Sequence, residues 1–259
     1  MGAICVFVNQ KGGVGKTTSA INLGAFLADA GKSVLLVDFD AQGNLSSGVG
    51  ISQPKPGIYE LLSGAASMEQ ATRKTSITNL EVIPASLDLS GAAVELIDQK
   101  ERHFFLKKAI APIRDNYDYI LIDCPPSLGQ LTMNGLAAAD LVLIPMQCEY
   151  FAMEGLKQLL HTTKLIQKDL NPSLKIGGIF FTMYDPRTRL ANDVIKHVSA
   201  IYKETVFNTI IPRNIRLSEA PSYGMPISLY DKQCPGARAY HALAQEMIYR
   251  ENNGGKNGA

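Results

Sequence analysis

The sequence predicts an α/β fold of three layers, a mostly parallel sheet with helices on both faces. Three observations predict it. Short β-branched, apolar runs alternate with longer segments of helical period. The runs are apolar along their whole length, as strands buried on both faces are. A glycine-rich turn separates the first run from the first helical segment.

Each element follows in order. The predicted strand 3–8 leads through the turn to a helix over 16–30. Strand 33–40 (SVLLVDFD) precedes a short helix at 57–63, and strand 80–84 a long one at 89–114. Strand 119–124 (YILIDC) is followed by helix 129–138, 141–146 by 153–169, 176–182 by 189–203, and 206–211 by 236–250. Right-handed crossovers in such a series bring every strand's C-terminal end to one edge of the sheet, where ligands bind. No linker splits the chain, so residues 1–250 are expected to form one domain. The glycine- and asparagine-rich 251–259 (ENNGGKNGA) is expected to be a disordered tail.

Composition narrows the class. Hydrophobic content of 46% with 19% charged residues suits a soluble chain with a substantial core. No apolar run approaches the length of a membrane span, and the N-terminus does not read as a signal peptide. The four cysteines lack C-x-x-C spacing and suit reduced thiols in a cytoplasmic protein. The net charge of +1 excludes a polycation, yet 185–216 holds six Lys/Arg against three acids, a local +3. Any contact with a polyanion is therefore expected of a patch in the late chain.

The chemistry starts at NQKGGVGKTTSA, residues 9–20. A phosphate-binding loop reads G-x-x-x-x-G-K-[ST]; here Gln10 stands where the first glycine belongs, and an extra lysine, Lys11, follows it. The K-G-G-x-G-K-T string would arise by chance on the order of once in 10⁵ chains of this length, so a mere helix-capping turn is disfavoured. Gly12, Gly13 and Gly15 allow a tight backbone that brings Val14 and its neighbours against phosphate. Lys16 is expected on the β- and γ-phosphates, the Thr17 hydroxyl on Mg²⁺, and Thr18 toward the α-phosphate. Three acids close strands at the same predicted edge: Asp38, Asp40 and Asp123. Asp38 and Asp40 alternate along one strand and so should share a side. Asp123, after four apolar residues, is placed to hold magnesium through water. A single acid of this kind is more often a turn cap; three beside the loop favour a site. On the residues alone, Lys11 remains a solvated lysine beside a turn.

With VDFDAQGN, LIDCPPSLG and IPRNIRLSEAPSYGMPI added to KGGVGKTT, the sequence resembles the ParA/Soj chromosome- and plasmid-partitioning ATPases. These belong to the deviant Walker A group of P-loop NTPases. The resemblance runs from about residue 3 to 250 and matches the short chromosomal type. It implies an ATP-dependent switch that uses ATP and Mg²⁺, dimerises when ATP is bound, and grips double-stranded DNA without sequence preference. It further implies slow hydrolysis stimulated by a ParB-like centromere-binding protein, and a cytoplasmic, nucleoid-associated location with no membrane partner. By the same resemblance, Lys11 is the signature lysine that reaches the partner subunit's phosphates. Asp40 positions or activates the attacking water, Asp38 supports the magnesium site, and Asp123 is the Walker B acid. PMQCEYF lines the dimer interface, Pro212 and Asn214 contact adenine, and Arg189 and Arg216 bind DNA with Arg187 and Arg213 beside them. Lys11, Lys16 and Asp40 are thus the expected catalytic residues. A Min-type membrane-positioning ATPase would need a basic amphipathic helix near the end, which MIYRENNGGKNGA does not supply. An iron–sulfur carrier would need a second cysteine ligand beside Cys124. A nucleotide-gated binding module with negligible hydrolysis is the remaining alternative, and the intact acids argue against it.

Overall fold

A computed structural model describes residues 2–95 and 99–254. Seven strands form one sheet: β1 (Ala3–Phe7), β2 (Val34–Asp38), β3 (Arg73–Lys74), β4 (Leu80–Ile83), β5 (Tyr119–Asp123), β6 (Leu141–Gln147) and β7 (Lys175–Thr182). The helices are α1 (Lys16–Asp29), α2 (Asn44–Gly48), α3 (Ile58–Ser63), α4 (Met68–Ala71), α5 (Leu89–Glu95), α6 (Phe105–Ile110), α7 (Gln130–Ala138), α8 (Ala152–Asp169), α9 (Arg189–Ile201), α10 (Ile215–Glu219), α11 (Ile227–Tyr230) and α12 (Pro235–Gly254).

The strand order is β3-β4-β2-β5-β1-β6-β7, parallel except for the short β3 against β4. Both faces are buried, as the unbroken apolar runs predict. Along β1, Ile4 and Val6 enter one apolar cluster while Cys5 and Phe7 enter the other. Helices α1 and α12 cover the second face; α7, α8 and α9 cover the first. Helix α1 lies very close to the sheet, and a Cβ on Gly24 would stand 2.7 Å from Leu36 Cδ2. A side chain at Gly24 would push α1, and the loop before it, off the sheet.

Several sequence expectations are corrected. Strand 33–40 ends at Asp38, so Asp40 lies in the following turn. Strand 206–211 is not a strand: only isolated bridges join Ile179 to Val206 and Tyr184 to Pro212. Between them the amides of Asn208 and Thr209 donate to the Glu246 carboxylate of α12 at 2.7 and 2.9 Å instead of to a neighbouring strand. The long helix 89–114 is interrupted between α5 and α6, where Glu101 takes a left-handed φ of 61°, and again after α6, where residues 111–116, with Pro112 in the first turn, tighten into a 3₁₀ helix. Residues 96–98 of that predicted helix lie outside the described residues. Residues 251–254, expected in the tail, continue α12, where Glu251 accepts a hydrogen bond from the Tyr119 hydroxyl and Asn253 Nδ2 donates to Tyr249 O at 2.8 Å. Residues 255–259 lie outside the described residues.

Candidate active site

The turn between β1 and α1 has the backbone of an anion nest. Gly13 and Gly15 take φ values of 74° and 88°, a region only glycine enters without strain. The amides of residues 12 to 18 donate to no protein group among the described residues. The carbonyls around them are occupied. Lys16 Nζ donates to Asn9 O at 3.1 Å, Gln147 Nε2 to Gly13 O at 3.1 Å, and Thr182 Oγ1 to Val14 O at 2.8 Å. A loop with free amides and satisfied carbonyls, at the N-terminus of a helix, presents partial positive charge to an anion. Lys16 adds a full charge and is only 7% exposed. Burial lowers its pKa, and the charges of Asp123, then of Cys124 and Asp40, pull the other way.

Asp38 and Asp123 are direct register neighbours on β2 and β5, both fully buried. Ser46 on α2 fixes Asp38, donating to Oδ2 from its amide at 2.8 Å and its hydroxyl at 2.5 Å. Neither oxygen of Asp123 meets hydrogen-bond geometry with any described group, although Thr17 and Lys16 are close enough to favour its charged form. Burial, then the charge of Asp38, pushes the Asp123 carboxyl up to about 8. Burial pushes Asp38 up to about 6 against its bonds from Ser46. Two buried carboxyls side by side, one without a donor, beside a threonine hydroxyl and a phosphate nest, fit a hard divalent cation with oxygen ligands.

The shifts fix a pH dependence. Between the ordinary 3.8 and these raised values the folded chain binds more protons than the unfolded one, so stability falls as pH rises. The ligand-free chain should melt at a higher temperature at pH 6 than at pH 8.5. Magnesium with ATP should flatten that difference, because a bound cation favours the ionised carboxylates. Melting curves with and without ligand check both halves.

Asp40 stands apart from this pair. It is half-buried in the turn after β2, its Oδ1 accepting from Gln42 N at 3.1 Å. It sits at the mouth of the site rather than in its floor. Lys11 is 49% exposed, and its ammonium pairs with the Glu149 carboxylate just beyond β6. It therefore does not turn into the nest of its own chain.

A cavity of about 540 Å³ opens beside Gly15 and Thr18 and runs to Ile211, Pro212 and Asn214. Asn214 lines this cavity, and its Oδ1 is buried without a hydrogen-bond partner among the described residues.

A protein-family profile described as an AAA domain matches residues 2–176. The chain is 62% identical over 251 residues to the chromosome-partitioning ATPase Soj of Treponema pallidum, covering 97% of this chain and 99% of that one. It is 52% identical to the chromosome partitioning protein ParA of Myxococcus xanthus, covering 97% and 89%. The chain belongs to the Soj/ParA family of chromosome-partitioning ATPases. Among solved structures, a cobyrinic acid a,c-diamide synthase from Mycobacterium smegmatis with bound ADP and magnesium superposes with a TM-score of 0.86 at 36% identity, over 98% of this chain and 97% of that one. A protein with a different named activity thus shares the fold, which does not choose the function by itself.

The four candidate arginines of this Soj/ParA chain lie around one feature. The Tyr184–Pro212 bridge, with Arg213 N donating to Tyr184 O at 3.0 Å, joins the loop after β7 to the segment before α10. Arg187 and Arg213 are brought together there, both acting on Asp185; hydrogen bonds from Arg187 hold that carboxyl down at about 2. Arg189 opens α9, 96% exposed and 3.9 Å from Asp193. Arg216 turns aside to Glu219 at 2.9 Å and Asp231 at 3.6 Å. Those two acids lie outside the window that gave +3, so the patch is less basic than the linear count.

Sequence reasoning missed Ser46 and Thr182, and named Gln147 and Glu149 only as part of PMQCEYF, with no individual role. Nothing in the first serine of NLSSG or the threonine closing GGIFFT marks its partner: the turn after β2 brings Ser46 back onto Asp38, and strand order brings Thr182 to the loop.

Proposed function

We propose that the chain is an ATP-driven dimerising switch that grips double-stranded DNA nonspecifically and lets go after hydrolysis, in the service of chromosome or plasmid segregation. The single observation that carries this reading is Lys11, a cation at the lip of a complete phosphate nest yet pointed away from it. A lysine so placed is free to enter the nest of a second copy.

ATP enters with its base in the cavity of Pro212 and Asn214 and its phosphates on the amides of residues 12 to 18. Lys16 holds the β- and γ-phosphates. Thr17, Asp38 and Asp123 would hold magnesium, which neutralises phosphate charge when bound. Two loaded copies face each other, and each Lys11 leaves Glu149 for the opposite triphosphate. That cation offsets the repulsion between two anionic sites in a dry interface. Asp40 at the mouth orients the attacking water and takes up its proton. A switch needs a long-lived ATP state, so turnover is slow until a ParB-like partner completes the site. Dimerisation doubles the arginine patch, and paired weak phosphate contacts multiply into useful affinity. The chain would then localise with the nucleoid.

Sedimentation of the wild type and of an Arg189→Glu, Arg216→Glu double variant, with ATP, ADP or no nucleotide and with or without duplex DNA, tests this. The wild type should dimerise only with ATP and cosediment with duplex of any sequence. The double variant should dimerise alike and lose the DNA. Normal DNA binding by that variant would remove the patch; a wild type that stays monomeric with ATP would remove the switch.

A further inference from the structure

We propose that Thr182, seconded by Gln147, is a positioning residue for the triphosphate: it holds the phosphate loop open by capturing a carbonyl that would otherwise turn into the nest. The proposal rests on the reading of residues 12 to 18 as the phosphate site.

A peptide plane that turns its amide toward an anion turns its carbonyl the other way, and a buried carbonyl needs a donor. Val14 is 1% exposed and Thr182 2% exposed, so water cannot serve the Val14 carbonyl. Thr182 Oγ1 serves it at 2.8 Å in a buried bond across 168 residues of chain. One residue earlier, Gly13 O receives Gln147 Nε2 at 3.1 Å. The same nitrogen lies 2.7 Å from Met183 Sδ, tying the loop to a residue that also lines the base cavity. The two donors close β7 and β6, adjacent strands on the side of β1 away from Asp38 and Asp123.

The loop is therefore braced from both flanks. Magnesium-side groups stand at the ends of β2 and β5, and carbonyl donors at the ends of β6 and β7. Without the Thr182 hydroxyl, the Val14 carbonyl gains most by rotating toward whatever donor it can reach. That rotation withdraws an amide from the nest and brings a partial negative charge toward phosphate.

The test titrates a fluorescent ATP analogue with magnesium into wild type, Thr182→Val, Thr182→Ser and Gln147→Leu, and records melting temperatures without nucleotide. Thr182→Val, equal in shape but lacking the hydroxyl, should bind about tenfold more weakly. Its KM for ATP should rise while kcat stays within about twofold, since the loss falls on binding shared by ground and transition states. Thr182→Ser should restore binding to within about twofold, because the donor returns. Gln147→Leu should show a smaller loss in the same direction, and it carries the test should Thr182→Val fail to fold. Valine and serine variants that weaken binding alike would assign the effect to packing and overturn the proposal, as would a valine variant that binds like wild type. Lys16→Ala is the control for the underlying reading. If it still binds the analogue, the phosphate site itself is misplaced, whatever Thr182 does.

Discussion

Lys11→Ala should leave ATP binding within a few-fold of wild type and abolish the ATP-dependent dimer. The first half follows from geometry within one chain. The Lys11 side chain is half exposed and paired with Glu149, whereas Lys16, buried to 7% exposure, lies under the loop with Asp123 behind it. Removing an exposed ion pair changes little, about 0–1 kcal/mol. The second half follows from charge. Two triphosphates brought together in a dry interface leave uncompensated anions once the bridging cations are gone. Breaking a buried pair of that kind costs about 3–5 kcal/mol, and a twofold dimer loses two of them. Association should therefore weaken far beyond ordinary working concentrations. Equilibrium sedimentation with ATP, beside a nucleotide-binding titration, measures both halves. A Lys11→Ala chain that still dimerises with ATP contradicts the trans role and leaves Lys11 a surface lysine held by Glu149.

Asp40→Ala should stop hydrolysis while preserving the ATP-bound dimer on DNA. The three acids are not equivalent. Asp38 and Asp123 are buried neighbours whose carboxyls are pushed up by burial, the setting for a cation's ligands. Asp40 lies past the end of β2 at the mouth of the cleft, where water has access. A positioned carboxylate acting on water contributes about 10²–10⁴ in rate, so phosphate release should fall by that factor. Binding rests on the loop amides and Lys16, so affinity for ATP should stay near wild type. A phosphate-release assay paired with DNA cosedimentation separates the effects. Undiminished hydrolysis would place the water elsewhere; a variant that neither dimerises nor holds DNA with ATP would make Asp40 structural.

The backbone of the loop before α1 was legible in the sequence because its conformation is local. Glycines at 13 and 15 permit positive φ, and Lys16 and Thr17 follow at fixed spacing on the first turn of a helix. The unbroken apolar runs foretold a sheet buried on both faces for the same reason: the pattern is carried by neighbours in the chain. Where the prediction failed, a group outside the stretch being read had intervened. Residues 206–211 have strand composition, but Glu246 takes the amides of Asn208 and Thr209. Asp40 continues the apparent alternation of β2, yet the strand stops at Asp38, where Ser46 takes hold of the carboxylate. The basic window 185–216 was counted without Glu219 and Asp231, which reach Arg216 from later in the chain.

By itself, the sequence determined which backbone could wrap a phosphate, which segments had to be buried, and which residue types stood near strand ends. Only the tertiary structure decided which of them meet. The strand order sets β2 beside β5, and so Asp38 beside Asp123; it sets β6 and β7 beyond β1, and so Gln147 and Thr182 under the loop. Local spacing encodes torsion angles and periodicity, which one stretch of chain satisfies alone. Strand adjacency is a property of how the whole chain buries its apolar faces, and no single stretch carries it.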